Sequence, residues 1–163
     1  MPLYSYDAGC PQAISPCVAM RTRMVALSRE ELVASIRKEF VIRVPIEAAW
    51  AAWRDIGAVH LRLARGFVVD CHLDGADRIV RFANGFVTRE VIVDVDDARH
   101  RLAYSARSER LEHHHATFEL SEVGSDSTRV LWIADVLPES AAASIDAMMQ
   151  AGAAAIRETL EGA

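Results

Sequence analysis

The amino-acid sequence predicts an α+β fold in which one long C-terminal helix covers an antiparallel sheet of short strands. Residues 138–162 are rich in Ala, with Pro138 suited to a helix start and Gly162 to the position just past a helix end. The preceding residues, about one hundred, divide into short alternating segments separated by turn residues, which indicates strands. Asn84-Gly85, between two such segments, is the strongest hairpin signal in the chain.

The composition indicates one globular domain of ordinary size. The chain has 163 residues, 52% of them apolar, and a net charge of −5. Lys and Arg are dispersed, which argues against a nucleic-acid partner, and no apolar run approaches the ~20 residues of a membrane span. The chain has an odd number of cysteines, Cys10, Cys17 and Cys71, and they lack metal-binding spacing, which points to a reducing compartment. Because the N-terminus also lacks a secretory pattern, we expect a cytoplasmic protein.

The first elements are predicted from local signals. Prolines and the lack of periodicity indicate a flexible tail over residues 1–26, followed by a single domain over residues 27–163. Ser28-Arg-Glu-Glu31 has the spacing of a capping box, which predicts either a short helix to about Ile36 or the lead-in to the first strand.

A strand and two short helices should follow. Lys38–Ile46 alternates between apolar and polar residues, which predicts a strand that Pro45 stops. Glu47–Asp55 predicts a helix in which Trp50 and Trp53 are neighbours. Ala58–Leu63 predicts one or two further helical turns.

Six more strands should complete a meander, and the long helix must cover its apolar face. The predicted strands are Gly66–Asp74, Arg78–Phe82, Phe86–Val95, Arg101–Ala106, His113–Glu122 and Thr128–Val136. One stripe of the helix carries Ile145, Met149, Gly152, Ile156 and Leu160. Because these side chains are small or flexible, we expect helix and sheet to enclose a pocket.

Several segments resemble a known superfamily. The chain carries VPIEAAW followed by Asp55, FANGFVTRE, DDARHRLAYS, STRVLWIADVLP and the closing helix. From about residue 37 to its end it resembles the START/birch-allergen-like (SRPBCC) superfamily, in its polyketide cyclase/dehydrase and lipid-transport branch. The resemblance implies a helix-grip fold, with a seven-stranded antiparallel sheet wrapped around the last helix and a cavity between them. It also implies binding of apolar small molecules and, in some members, cyclisation or dehydration of a polyketide. Where many relatives have a Trp and a Pro, this chain has HLRLARG.

The first candidate for chemistry is His114. Successive side chains of a strand point to opposite faces, so His114 should share the cavity face with Phe118, while His113 and His115 face solvent. His114 is therefore a candidate general acid/base or a hydrogen-bonding group for a ligand oxygen. The alternative is a core histidine satisfied by a backbone carbonyl. A metal site on His113 and His115 lacks a third ligand, so no metal is expected.

The same alternation predicts the ligand-binding residues. They are Phe67, Cys71, Phe82, Tyr104, His114, Phe118, Trp132 and Met149. Tyr104 is also a second candidate catalytic residue, which would orient a substrate oxygen. Packing of these side chains in a solid core explains the pattern equally well.

Glu90 is ambiguous. Asn84-Gly85 fixes the register of the hairpin, so that Arg78 and Arg89 lie on its more apolar face, which should point inward. Glu90 and Arg81 would then form an exposed cross-strand pair. With the faces reversed, Glu90 enters the cavity as a candidate base.

These observations favour a protein that binds an apolar or aromatic small molecule, lipid-like or polyketide-like. The alternative is a cyclase or dehydratase that uses His114 as general acid/base and Tyr104 to orient an oxygen, without metal or nucleotide cofactor. A third possibility is an interaction module that presses the apolar mouth of the pocket on a partner protein.

Overall fold

The structure, a computed structural model, describes residues 32–162. Its elements in chain order are β1 (Ala34–Ile42), α1 (Ile46–Trp53), α2 (Val59–Arg62), β2 (Val68–Asp74), β3 (Asp77–Phe82), β4 (Val87–Asp96), β5 (Arg101–Arg107), β6 (His113–Glu122), β7 (Thr128–Leu137) and α3 (Ala142–Glu161), with a 3-10 turn at Glu139–Ala141 before α3. None of the helices within residues 32–162 is long and apolar enough to cross a membrane.

The strands form one antiparallel sheet of seven strands in the order β1-β7-β6-β5-β4-β3-β2. Strands β2 to β7 form a meander, in which each strand pairs with its neighbour in sequence. β1 instead pairs with β7 along its whole length, from Ala34 opposite Val136 to Ile42 opposite Thr128. Together with the two short helices and the long C-terminal helix, this sheet confirms the predicted α+β, helix-grip fold.

The first strand begins and ends earlier than predicted. Ala34–Ile42 is extended, so residues near Ile36 are strand, and the alternative of a lead-in to β1 is correct there. Pro45 directly precedes the first residue of α1, and its carbonyl oxygen accepts a helical hydrogen bond of 3.0 Å from the backbone N–H of Ala49, so it starts the helix instead of ending the strand. The predicted tail over residues 1–26 and the capping box at Ser28 lie outside the described residues.

The long helix is attached to the sheet along β1. Lys38 Nζ lies 2.8 Å from Asp146 Oδ1 near the start of α3. At its end, Glu161 Oε1 accepts a hydrogen bond of 2.8 Å from the backbone N–H of Arg43. α3 therefore follows the edge of the sheet, and space is left between α3 and the strands farther away.

A cluster of aromatic rings lies between α1, the sheet and α3. Phe118 stacks on Trp132 with ring centroids 4.5 Å apart and meets Trp53 edge-on at 5.7 Å. A Cβ atom added at Gly152 would lie 3.1 Å from the Trp132 ring and 3.2 Å from the Phe67 ring. The absence of a side chain at Gly152 thus lets the helix backbone approach the rings closely.

The hairpin between β3 and β4 is confirmed at Asn84-Gly85, but its loop has three residues. Phe82 N donates to Phe86 O at 2.9 Å, and Gly85 has a φ of 84°, as expected for a three-residue loop. The register therefore differs by one residue from the predicted one, and the side chains of β4 from Val87 to Ile92, before the bulge between Ile92 and Asp94, point to the other face. Of the two alternatives for Glu90, the inward position is correct, because its side chain is buried.

Charge pairing explains why this register is stable. With the predicted faces, Arg78 and Arg89 would both be interior and would lack a carboxylate partner. In the observed register Arg78 pairs with Glu90 inside the molecule, and Arg89 pairs with Asp74 and Asp77 on the outer face. Burial of an unpaired charge costs more than exposure of valines, so charge pairing outweighs the apolar pattern.

A bulge also changes the faces of β2. The register of β2 against β3 shifts between Val68 and Asp70. Val68 is therefore buried and Val69 is about half exposed, whereas regular alternation with Phe67 and Cys71 would place Val69 on the inner face. Cys71 is buried, as expected from the alternation.

We expect Gly152→Leu to lower the free energy of unfolding by about 1–3 kcal/mol, because the new side chain would press on the Trp132 and Phe67 rings. Ala154→Leu, at an exposed position of the same helix, should change it by no more than about 0.5 kcal/mol. Urea denaturation of the two variants measures the difference. Equal stability of both variants would show that Gly152 does not set the distance between helix and sheet.

Candidate functional site

A cavity of about 500 Å³ lies between the inner face of the sheet and α3. Its sheet wall comes from β2 to β7, and its other wall carries Ile145, Met149 and Ile156 of α3. The mouth lies near the β3–β4 loop, the β5–β6 loop and the start of α3, where Asn84, Ser108 and Ser144 contribute to the lining. Most of the wall is apolar.

Seven of the eight residues predicted to bind a ligand lie on the wall of this cavity. They are Phe67, Phe82, Tyr104, His114, Phe118, Trp132 and Met149. The eighth, Cys71, is not part of the wall; its Sγ lies 3.6 Å from the carbonyl oxygen of Ile56, and burial raises the pKa of its thiol. Contact of the seven residues with a ligand stays a prediction.

A buried ion pair on the sheet wall was missed by the sequence analysis. Arg78 Nε donates to Glu90 Oε2 at 2.7 Å, and the two residues are only 4% and 5% exposed. Arg78 Nη1 also donates to the carbonyl oxygen of Ile56 at 3.4 Å. The guanidinium carbon lies 5.2 Å from the centre of the Tyr104 ring, so it makes a cation–π contact as well. The signal that could have revealed the pair is the complementary charge of the two residues across the hairpin.

Tyr104 presents a protonated hydroxyl to this part of the cavity. Burial, and then the charge of Glu90, raise the pKa of Tyr104, so the phenol stays neutral at ordinary pH. Its ring stacks on Phe118 with centroids 6.3 Å apart and tilts against His114 at 5.8 Å. Tyr104 thus joins the ion pair to the aromatic cluster.

His114 offers the cavity a hydrogen-bond donor. Its Nδ1 accepts a hydrogen bond of 3.1 Å from the backbone N–H of Ala106. In the neutral ring the proton must then sit on Nε2, which has no partner among the described residues. Burial is the main cause that lowers the pKa of His114, so the ring is neutral at pH 7. A general-base role for Nε2 would require a proton on Nδ1, where it would face the N–H of Ala106.

The candidate site holds few other charged groups. Among residues 32–162, the charged side chains on the cavity wall are those of Arg78, Glu90 and Arg110, and Arg110 is exposed to solvent. Within residues 32–162 no three His, Cys, Asp or Glu side chains come together as a metal site would require.

Comparisons with known proteins agree on the fold. The sequence matches the family described as "Polyketide cyclase / dehydrase and lipid transport" over residues 33–162. A comparison with curated proteins finds no match. The solved structure of the protein XoxI from Bacillus cereus is 17% identical, with a TM-score of 0.70, and the alignment covers 78% of this chain and 95% of that one.

Two further structures have the same fold. Norcoclaurine synthase from Thalictrum flavum, solved in complex with dopamine and hydroxybenzaldehyde, is 16% identical with a TM-score of 0.61, over 78% of this chain and 86% of that one. A START superfamily protein from Mycobacterium smegmatis is 13% identical with a TM-score of 0.62, over 78% and 94%. At these identities the likeness shows the fold alone.

The lowered pKa of His114 should make stability depend on pH. Above 6.5, the ordinary pKa of histidine, His114 is neutral in both the folded and the unfolded state, and its contribution to the free energy of unfolding is fully present. As the pH falls below 6.5, the unfolded chain takes up the proton first, so the free energy of unfolding decreases. The decrease continues until the pH reaches the lowered pKa of His114 in the folded state. His114→Gln should flatten this decrease, measured by urea denaturation between about pH 7 and pH 5. The exposed control His72→Gln should not; equal curves for both variants would contradict the assignment.

Removal of one partner of the buried ion pair should be far more costly than removal of both. Glu90→Met leaves the Arg78 guanidinium buried without its carboxylate and should lower the free energy of unfolding by about 3–5 kcal/mol. Arg78→Met/Glu90→Met removes both charges and should recover most of this loss. Urea denaturation of the single and double variants tests this, and additive losses would show that the two side chains are not coupled.

Proposed function

Because the chain belongs to the polyketide cyclase/dehydrase and lipid transport family, we propose that it binds an apolar or aromatic small molecule in the cavity between the sheet and α3. The observation that carries this proposal is the cavity itself, about 500 Å³ of space with a mostly apolar wall and one polar cluster. Ligand pockets in proteins have this character, with volumes of roughly 300–1,000 Å³ and a small number of orienting polar groups.

Aromatic ligands suit the wall of this cavity. Phe67 and Phe82 meet edge-on with ring centroids 5.2 Å apart, and Phe118 stacks on Trp132 on another part of the wall. Rings of a ligand can contact either pair, and burial of apolar surface would supply most of the binding energy, at roughly 25 cal/mol per Å². Norcoclaurine synthase, which has the same fold, was solved in complex with the aromatic molecules dopamine and hydroxybenzaldehyde, and our proposal takes the same class of ligand for this cavity.

A bulky side chain at the mouth of the cavity should weaken the binding of a small-molecule ligand. Ser144 is exposed at the start of α3 and lines the mouth, so Ser144→Trp should lower the affinity for a two-ring aromatic ligand such as 2-naphthol more than about tenfold. Ala147→Trp, at an exposed position of the same helix that does not line the cavity, should bind as the wild type does. Isothermal titration calorimetry with the three proteins provides the measurement. Unchanged binding in Ser144→Trp would place the ligand elsewhere.

The second candidate function is a dehydratase or cyclase, and the ionisable groups in the cavity favour it. Glu90 could accept the proton that leaves the carbon next to a substrate carbonyl. The developing oxyanion would accept hydrogen bonds from His114 Nε2–H and from the Tyr104 hydroxyl. In this arrangement His114 is a hydrogen-bond donor to the substrate oxygen, which is the second of the two roles expected for it from the sequence.

An aromatic β-hydroxyketone separates catalysis from binding. With 4-hydroxy-4-phenylbutan-2-one as probe, an enzyme would remove a proton from the carbon beside the carbonyl and release water, and the conjugated product would appear by ultraviolet absorbance. His114→Phe should then lower kcat by about 10²-fold or more, with the probe's affinity nearly unchanged. If the wild type binds the probe but does not dehydrate it faster than the probe dehydrates spontaneously, simple binding is the function.

A further inference from the structure

We propose that the buried pair of Arg78 and Glu90 makes the cavity selective for uncharged ligands that carry a hydroxyl group, which donates a hydrogen bond to Glu90 Oε1. This inference rests on the proposed function, because it concerns the same cavity and the chemistry of its ligand. It assigns a specificity-determining role to two residues that lie on adjacent strands, β3 and β4.

Glu90 has one carboxylate oxygen in use and one free. Oε2 accepts the hydrogen bond from Arg78 Nε at 2.7 Å, whereas Oε1 has no hydrogen-bond partner among the described residues. The residue is 5% exposed and contributes to the cavity wall. A ligand that displaces water from the cavity without donating to Oε1 would therefore leave a buried charged acceptor unsatisfied, which is costly.

Hydrogen-bond donors flank this acceptor. Arg78 lies over the Tyr104 ring, and the Tyr104 ring lies against His114, so the four side chains form one contiguous polar patch on the sheet wall. His114 Nε2–H and the Tyr104 hydroxyl can donate to the cavity. A ligand hydroxyl is the smallest group that can both donate to Glu90 and accept from one of these neighbours.

An anionic ligand fits this patch poorly. A carboxylate that approached Arg78 would meet the Glu90 carboxylate bonded to the same guanidinium, and like charges repel at such distances. The pair is neutral as a whole, and the remaining charge on the wall, Arg110, is exposed and screened by solvent. The cavity thus offers no uncompensated positive charge in its interior.

Three probes of similar size test the proposal by calorimetry at pH 7: 2-naphthol, 2-methoxynaphthalene and 2-naphthoate. The first donates and accepts a hydrogen bond, the second only accepts, and the third is an anion. Wild-type protein should bind 2-naphthol at least about tenfold more tightly than 2-methoxynaphthalene, since a hydrogen bond to a charged acceptor is lost. It should bind 2-naphthoate most weakly.

Variants then assign the selectivity to the ion pair. In Arg78→Met/Glu90→Met the affinities for 2-naphthol and 2-methoxynaphthalene should be about equal, because the charged acceptor is gone. In Glu90→Gln the guanidinium keeps its charge without a counter-ion, so the affinity for 2-naphthoate should rise about tenfold or more. The exposed pair of β1 provides the control Arg37→Met/Glu39→Met, which should keep the wild-type order of affinities.

The outcomes separate this inference from the proposed function. Equal wild-type affinities for 2-naphthol and 2-methoxynaphthalene, or tighter binding of 2-naphthoate than of 2-naphthol, would overturn the selectivity and leave small-molecule binding intact. The same holds if the double Met variant, shown to be folded by circular dichroism, keeps the wild-type preference. Failure of wild type to bind any of the three probes would overturn the proposed function and this inference together. Because the ranking of probes on the wild type is itself decisive, the test does not depend on the stability of a variant.

Discussion

The attachment of α3 along one edge of the sheet is the constraint from which the rest of the structure follows. An ion pair with Lys38 of β1 holds the start of the helix, and a hydrogen bond from the backbone of Arg43, just after β1, holds its end. Gly152 lets the middle of the helix approach Trp132. The helix therefore covers the far strands at a distance instead of packing into them. An apolar helix stripe over an apolar sheet would ordinarily close into a solid core. Here the anchoring at the edge and the aromatic rings between the two layers keep a space open.

The polar patch inside that space depends on mutual compensation. Neither Arg78 nor Glu90 could be buried alone, and the two together still depend on the Ile56 carbonyl and the Tyr104 ring for further contacts. His114 is restrained in a different way, because a backbone N–H occupies Nδ1 and leaves the proton on Nε2. The result is a neutral set of donors and one acceptor on an apolar background. Such an arrangement orients a ligand by hydrogen bonds without attracting charged solutes.

Much of the fold and part of the candidate site could be predicted from the sequence. The alternation in β5, β6 and β7 gave the correct inward positions of Tyr104, His114 and Trp132, since these strands pair without bulges at those residues. The alternation failed where the backbone departs from a regular ladder. Asn84-Gly85 is compatible with loops of two or three residues, and the loop length decides on which face of the sheet the first side chains of β4 lie. The observed register agrees with the pairing of charges across the hairpin, which the apolar alternation alone does not contain.

The pairing of β1 with β7 has a consequence for the order of folding. Strands β2 to β7 are joined by short turns, so their contacts are local and cost little loop-closure entropy. β1 meets β7 across the whole intervening meander: Thr128 Oγ1 donates at 2.8 Å to the carbonyl oxygen of Val44, which lies 84 positions earlier in the sequence. The first strand should accordingly dock late, after the rate-limiting step. Kinetic φ-values near zero for Ile42→Val, beside larger values for Val130→Ala, would identify the meander as the folding nucleus.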